Sequence, residues 1–262
     1  MPLQFDLSLA EGYKSGPQRI RKLSEAWVGA HIGCPRCGAG RLEHFRNNKP
    51  AADFFCPACA NQYELKSMKN SLADKVNDGA YESLAQRISS DTNPDFFFLS
   101  YLESCYTINS MIIVPKYFFT PAVIKKRNPL PQRAKRAGWI GAIILLGLIP
   151  EQGRVSIVKD GIMKSPQEIM TALKRASAFA ISPENRGWLF DTLNCVNQIT
   201  EMEFSLSELY KFEDSLQRLH PENSNIRAKL RQQLQLLRDR GVIEFLGRGN
   251  YRKLLPERSE RL

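Results

Sequence analysis

Two Cys-x-x-Cys pairs constrain this chain more than any other feature. Cys34 and Cys37 flank Pro35 and Arg36, Cys56 and Cys59 flank Pro57 and Ala58, and eighteen residues lie between the pairs. Two intervening residues let both sulfurs of a turn reach one ion, and two such turns complete a tetrahedron around zinc. One pair alone would read equally as a redox site. Two at this interval predict that residues 34–59 close around Zn²⁺. Four thiolates leave no open coordination position, so the expected zinc is structural. Cys105 and Cys195 lack such spacing and are expected in the core. No secretory signal is evident, because residues 1–14 carry acidic residues and no apolar run of the needed length. The expected location is therefore cytoplasmic, where disulfides are rare.

Polar residues bracket the second pair. Asp53 precedes it and Glu64, Leu65 and Lys66 follow it. In a strand, side chains alternate, so Glu64 and Lys66 should share a face while Leu65 points to the core. If Asp53 occupies a neighbouring strand, two carboxylates and an ammonium converge. Asp53 and Glu64 then are candidate ligands of a catalytic Mg²⁺, and Lys66 a candidate to orient an attacking water. The pattern, Asp, ten residues, Glu-x-Lys, resembles the PD-(D/E)xK nuclease signature. On its own it also fits an exposed strand. Asp53, however, is flanked by Ala51, Ala52, Phe54 and Phe55, and an acid in an apolar strand is costly without a partner or a metal.

The remaining pattern divides the chain. A helical stretch at residues 81–88 precedes strand-like runs at 96–101, 111–114, 143–148 and 155–158, which predicts an α/β (α+β) core. Residues 182–185 read as a linker. Beyond it, helices are expected at 187–199, from Ser205, and at 225–240. Ser205 and Glu208 form a capping box, Phe204 and Leu209 a hydrophobic staple, and Gly241 a left-handed cap. Short strands at 242–245 and 251–254 complete a winged-helix pattern. The expected organisation is a nuclease core with an embedded four-cysteine zinc site over 1–181, then a winged-helix DNA-binding domain over 182–262. The most hydrophobic stretch, 139–149, is far shorter than the ~20 residues of a membrane span, so no membrane partner is expected.

Several segments together resemble the DpnI-type methyl-directed restriction endonucleases: 52–56 with 63–67, 77–81 (NDGAY), 93–99 (NPDFFFL), 136–141 (RAGWIG), 231–239 (RQQLQLLRD) and 247–254 (GRGNYRKL). The likeness covers nearly the whole chain, without departure at a catalytic or zinc-ligand position; the tail 255–262 lies beyond it. The resemblance implies a type II endonuclease that cuts double-stranded DNA at GATC when the adenine carries an N6-methyl group. It also implies Mg²⁺ dependence, blunt ends, and recognition of the methylated sequence by both domains.

Charge distribution supplies candidate DNA contacts. The chain holds 37 Lys and Arg against 27 Asp and Glu, which fits a polyanionic partner. Arg133, Lys135 and Arg136 belong to an acid-free basic run that begins at Lys125 and is kept in a loop by Pro129 and Pro131. Trp139 follows; it is either core or, given the resemblance, an apolar contact for a methyl group in the major groove. In the third C-terminal helix, Arg227, Lys229, Arg231, Gln232 and Gln235 lie near the face opposite the apolar one. Arg248 stands at the wing tip, with Arg252 beyond it. The protein is expected to act as a monomer. Two other readings remain open on the residues alone: a non-catalytic regulator with a zinc ribbon and a winged helix, and a nuclease indifferent to methylation.

Overall fold

The run Asp-Phe-Phe-Phe-Leu-Ser-Tyr has no polar alternation, and a strand of that composition must be covered on both faces. In the computed structural model, which describes residues 2–45, 52–90 and 93–254, Asp95–Leu102 is the central strand of the larger unit and every residue but the last is buried. The chain divides into two units, residues 1–180 and 181–262.

In the first unit, helix α1 (Gly16–His31) starts with Pro17 in its first turn and buries Leu23, Trp27 and Val28 along one stripe. Strands β1 (Glu43–His44), β2 (Phe54–Phe55) and β3 (Gln62–Lys69) follow, then β4 (Lys75–Ala80), helix α2 (Tyr81–Ile88), β5 (Asp95–Leu102) and β6 (Thr107–Val114). After β7 (Ile124–Lys126) come β8 (Gly141–Leu145), β9 (Val155–Lys159), β10 (Ile162–Met163) and helix α3 (Pro166–Ala176). The large sheet has the order β1-β2-β3-β5-β6-β9-β10, with β3 and β5 parallel and the other neighbours antiparallel. A small antiparallel sheet has the order β4-β8-β7. The core is aromatic: Tyr63 stacks on Phe97 and Phe96 packs on Phe119, with all four rings buried.

The second unit contains α4 (Pro183–Gln198), β11 (Glu203–Ser205), α5 (Leu206–Tyr210), α6 (Glu213–Leu219), α7 (Ile226–Asp239) and the hairpin β12 (Ile243–Gly247) with β13 (Asn250–Lys253). The strand β11 adds to the hairpin in the order β11-β13-β12. Leu189, Leu193, Leu209, Ile226, Leu230, Leu234, Leu237 and Ile243 fill its core. The capping box at Ser205 and Glu208 is present with both hydrogen bonds, Phe204 and Leu209 are both buried, and Gly241 has φ +67°.

Four sequence expectations need correction. Residues 182–185 are not a linker: Pro183 is preorganised for a first helical turn and opens α4. The run 143–148 is a strand only to Leu145; a 3₁₀ turn follows, with the Gly147 amide donating to the Asp74 carbonyl and Pro150 ending the run. The second C-terminal helix breaks after Tyr210, and Glu213 and Asp214 begin a separate helix where acidic side chains suit the helix dipole. Cys105 is exposed in the β5–β6 turn, whereas Cys195 is buried as expected. Ala51 and the tail 255–262 lie outside the described residues. Among the described residues, no helix is long and apolar enough to cross a membrane.

Candidate metal-assisted active site and DNA-contacting surfaces

The two cysteine turns are built alike. Gly38 N–H donates to Cys34 O and Ala60 N–H to Cys56 O, at 2.9 and 2.8 Å; the turns are closed by Cys34 N–H on Ala39 O and Cys56 N–H on Asn61 O. The residue after each second cysteine lies in the left-handed region, Gly38 at φ +76° and Ala60 at φ +57°. Glycine adopts that conformation freely, but alanine does so only under strain. The four sulfurs of Cys34, Cys37, Cys56 and Cys59 all lie within 4.8 Å of one another and could hold one metal ion. Burial raises the Cys56 thiol, but the Cys59 and Ala58 amides outweigh it and bring the thiol down to about 7. Burial drives Cys59 up to about 12. A divalent cation would let both ionise, so the donor set fits a closed structural Zn²⁺ site.

The turns are fastened to the sheet by buried polar bonds. Arg36, inside the first turn, forks onto Asp95 at 2.6 and 2.9 Å. Asp95 also accepts from Asn61 Nδ2 and from the Lys116 amide. The Tyr63 hydroxyl lies 3.0 Å from Cys34 Sγ. Tyr63 pairs with Asp95 across β3 and β5 and directly precedes Glu64.

Asp53, Glu64 and Lys66 line one cleft together with Arg21, Glu25 and Asp78. Asp53 sits just before β2, its amide on Tyr63 O at 2.9 Å and its Oδ2 accepting from the Leu65 amide at 2.7 Å. Burial raises the Asp53 carboxyl, and Leu65 N–H, Lys66 and Arg21 oppose that rise. Glu64 and Lys66 share a face and form an ion pair. Leu65 is half-buried at the cleft and not in the core; the deeply buried neighbour is Tyr63.

Sequence reasoning missed the rest of this site. Asp78 on β4 pairs with Lys66, Arg87 on α2 donates to Glu64 at 3.1 Å, and Arg21 on α1 approaches Asp53 to 3.6 Å. None of these has a spacing that marks it; Asp78 lies within the NDGAY segment, but as a sequence that segment carries no chemistry. Burial raises Glu64 and pushes Lys66 down, but the two carboxylates outweigh burial for Lys66, which remains above its ordinary value.

The basic segment of the first unit is a closed loop. Gly138 N–H donates to Leu130 O and Leu130 N–H to Trp139 O. Arg133, Lys135 and Arg136 are exposed at its tip. Trp139 is half-buried; its ring edge is so close to Gly141 that a Cβ there would lie 2.9 Å from it, and the Arg136 guanidinium stands over the ring at 4.6 Å.

On α7, Arg227, Arg231, Gln232 and Gln235 are exposed and Lys229 is half-exposed. Arg227 pairs with Glu213 at 2.8 Å and lies over the Tyr210 ring, while Arg231 donates to the Tyr210 hydroxyl at 2.9 Å. Tyr210, another residue missed from sequence, thus sits between two arginines one helical turn apart. Arg248 is exposed at the hairpin tip with φ +51°. Arg252 is held across the sheet by Glu203 and Glu244.

The Dam-replacing family model, DpnI, matches residues 1–181, and the Dam-replacing HTH domain model, DpnI_C, matches 184–253. The chain belongs to the Dam-replacing family. Its two-domain order is that of the DpnI type, a mixed α/β core with a large sheet and a four-cysteine cluster followed by a helix-turn-helix domain. Membership supports a methyl-directed restriction enzyme, and the helix-turn-helix domain supports DNA as partner.

Proposed function

We propose that this protein is a Mg²⁺-dependent type II endonuclease that hydrolyses double-stranded DNA at GATC carrying N6-methyladenine and leaves blunt ends. The observation that carries the reading is the meeting of Asp53, Glu64 and Lys66 in one cleft of a Dam-replacing family core. Two carboxylates with an ammonium beside them are the donor set that a hard divalent cation and a phosphate require. Asp53 and Glu64 would hold Mg²⁺, and the bound ion supplies charge stabilisation to the phosphate and its departing oxygen. Lys66, kept charged by its two carboxylates, serves as a hydrogen-bond donor that orients the attacking water and not as a base. The water oxygen forms a bond to phosphorus, one P–O ester bond breaks, and the departing oxygen leaves with a proton.

The second unit is proposed to read the site through α7. Arg227, Lys229, Arg231, Gln232 and Gln235 would face the groove, N-terminal residues first, with Arg248 on a phosphate. Arg133, Lys135 and Arg136 would contact the backbone from the first unit. For Trp139 to meet a methyl group, Arg136 must leave the ring face, and a phosphate is the partner that would draw it away. Arg252, held by Glu203 and Glu244, would contribute least. The protein would do this as a cytoplasmic monomer with zinc fixed in the four-cysteine site. Digestion of one plasmid prepared with and without adenine methylation tests the reading: cutting of the methylated form alone, only with Mg²⁺, is expected, and equal cutting of both forms would overturn it.

A further inference from the structure

The cleft holds more charge than phosphodiester hydrolysis by Asp53, Glu64 and Lys66 would need. Lys66 pairs with two carboxylates, Glu64 and Asp78, and Glu64 pairs with two cations, Lys66 and Arg87. All four side chains are largely buried, with 17% of Lys66, 12% of Glu64, 2% of Asp78 and 18% of Arg87 exposed. Two positive and two negative charges balance, and none can lose its partner cheaply in such a place.

Asp78 is also aimed at this point by a local irregularity. The pairing of β4 with β8 runs Asp78 opposite Ala142 and then Ala80 opposite Gly141, leaving Gly79 as an extra residue. Such bulges bend a strand and redirect its side chains, commonly beside active sites. The Gly79 amide donates to Asp78 Oδ1 at 2.7 Å, the same oxygen that receives Lys66. Asp78 Oδ2 is buried without a hydrogen-bond partner among the described residues. The carboxylate is thus held on a strand of the small sheet, whereas Glu64 lies on β3 of the large sheet and Asp53 just before β2.

This arrangement matters when a divalent cation arrives. If Glu64 turns its oxygens to the cation, Lys66 loses one of its two counterions. Without a second one, a buried ammonium would either pull Glu64 back or leave its place at the phosphate. We propose that Asp78 is a positioning residue for Lys66: it keeps the ammonium beside the attacking water while Glu64 is released to bind the metal. The inference rests on the nuclease reading above and adds a fourth residue, from a different sheet, to the working site. Arg87 has the complementary task of keeping Glu64 in the cleft when the metal is absent.

The test uses the full chain. Asp78→Asn keeps the shape and loses the charge. It should slow single-turnover cutting of methylated plasmid at saturating Mg²⁺ by about 10- to 100-fold, with DNA affinity in metal-free buffer unchanged. The Mg²⁺ concentration giving half-maximal thermal stabilisation of the protein should rise about tenfold or more, because Lys66 then competes for Glu64. Asp78→Glu should recover part of both. In a Lys66→Met background the same Asp78→Asn change should no longer slow cutting, and should move the Mg²⁺ midpoint by less, since residues acting through one another are non-additive. If Asp78→Asn fails to fold, Asp78→Ser is read in the same way. Wild-type cutting by the Asp78 variant, or equal effects in both backgrounds, overturns the proposal alone. Wild-type cutting by Lys66→Met instead removes Lys66 from the catalytic role on which the proposal rests, and absence of cutting by the unmodified protein overturns the nuclease reading itself.

Discussion

In the first unit the charges of the cleft are buried; on α7 and the hairpin tip of the second unit they stand in water. Glu64, Lys66, Asp78 and Arg87 are packed together beside a sheet of stacked aromatics, and Arg36 is fixed on a fully buried Asp95. Arg227, Arg231, Gln232 and Arg248 project from a core that contains none of them. Buried charge requires every partner to be in place and so demands a rigid frame. Exposed charge contributes little to stability and is free to be chosen for what it binds. The buried set suits holding chemistry and the exposed set suits reading a surface. That contrast makes distinct predictions for each.

Removal of the metal should separate the units most strongly. The cysteine turns are fastened to β3 and β5 through Tyr63, Asn61 and Arg36, so the strand that carries Glu64 depends on them. Cys56→Ser, or stripping with a strong chelator, should cost the first unit on the order of 10 kcal/mol. Calorimetry should show its transition lost while that of the second unit stays in place. A zinc-free first unit melting at the original temperature would break the comparison.

Next in size is catalysis. Asp53→Ala, Glu64→Ala and Lys66→Ala should each reduce single-turnover cutting by about 10³- to 10⁴-fold, ~4–5.5 kcal/mol. Methyl-specific binding, measured without divalent ions, should hardly change, because that is assigned to exposed groups elsewhere. Loss of both together would mean that the working charges also hold the fold.

Asp95→Ala tests the frame itself. It leaves Arg36, Asn61 and the Lys116 amide without their acceptor, and removing one partner of a buried pair costs about 3–5 kcal/mol. Chemical denaturation followed by aromatic fluorescence should show this in the first unit's transition only. A cost below about 1 kcal/mol would mean that the fork is ornamental.

How far these features were legible in the sequence follows the same division. The cysteine turns, Asp53 with Glu64 and Lys66, the Ser205 capping box and the Gly241 cap are local patterns, in which a few residues and their spacing determine the geometry. Asp78, Arg87 and Arg21 arrive from β4, α2 and α1, and only the tertiary fold brings them to Lys66, Glu64 and Asp53. No periodicity marks a residue whose partner lies on another sheet. The Gly79 bulge is invisible for the same reason, since it exists only relative to β8. Tyr210 carries no mark in the sequence, because only the fold places Arg227 over its ring and Arg231 on its hydroxyl. Trp139 remained open between core and contact, and its half-buried ring under Arg136 agrees with neither extreme.

The smallest expected effect concerns the second unit alone. Residues 181–262, expressed separately, should fold, because Leu189, Leu193, Leu209, Leu230, Leu234 and Leu237 form a core within it and a domain of ~80 residues can be stable on such a set. It should bind methylated GATC in preference to the unmethylated site. Phosphate contacts bind any sequence, with affinity falling steeply as salt rises, so the preference must come from base-edge contacts on α7. Each good base contact is worth ~1–3 kcal/mol of discrimination, so Gln232→Ala or Arg231→Ala should cost up to about a hundredfold in selectivity. Arg248→Ala, at the exposed tip of the β12–β13 hairpin, should weaken binding to both sites alike and lower the salt dependence. Arg231→Ala carries a second consequence, because it removes the group that holds the Tyr210 hydroxyl; Tyr210→Phe should reproduce the part of its loss that arises from misplacing the ring. Titrations against methylated and unmethylated duplexes at two salt concentrations separate these effects. Equal affinity for the two duplexes would reduce the second unit to an electrostatic clamp, and the reading of the methyl group would then fall to the first unit and its Trp139 loop.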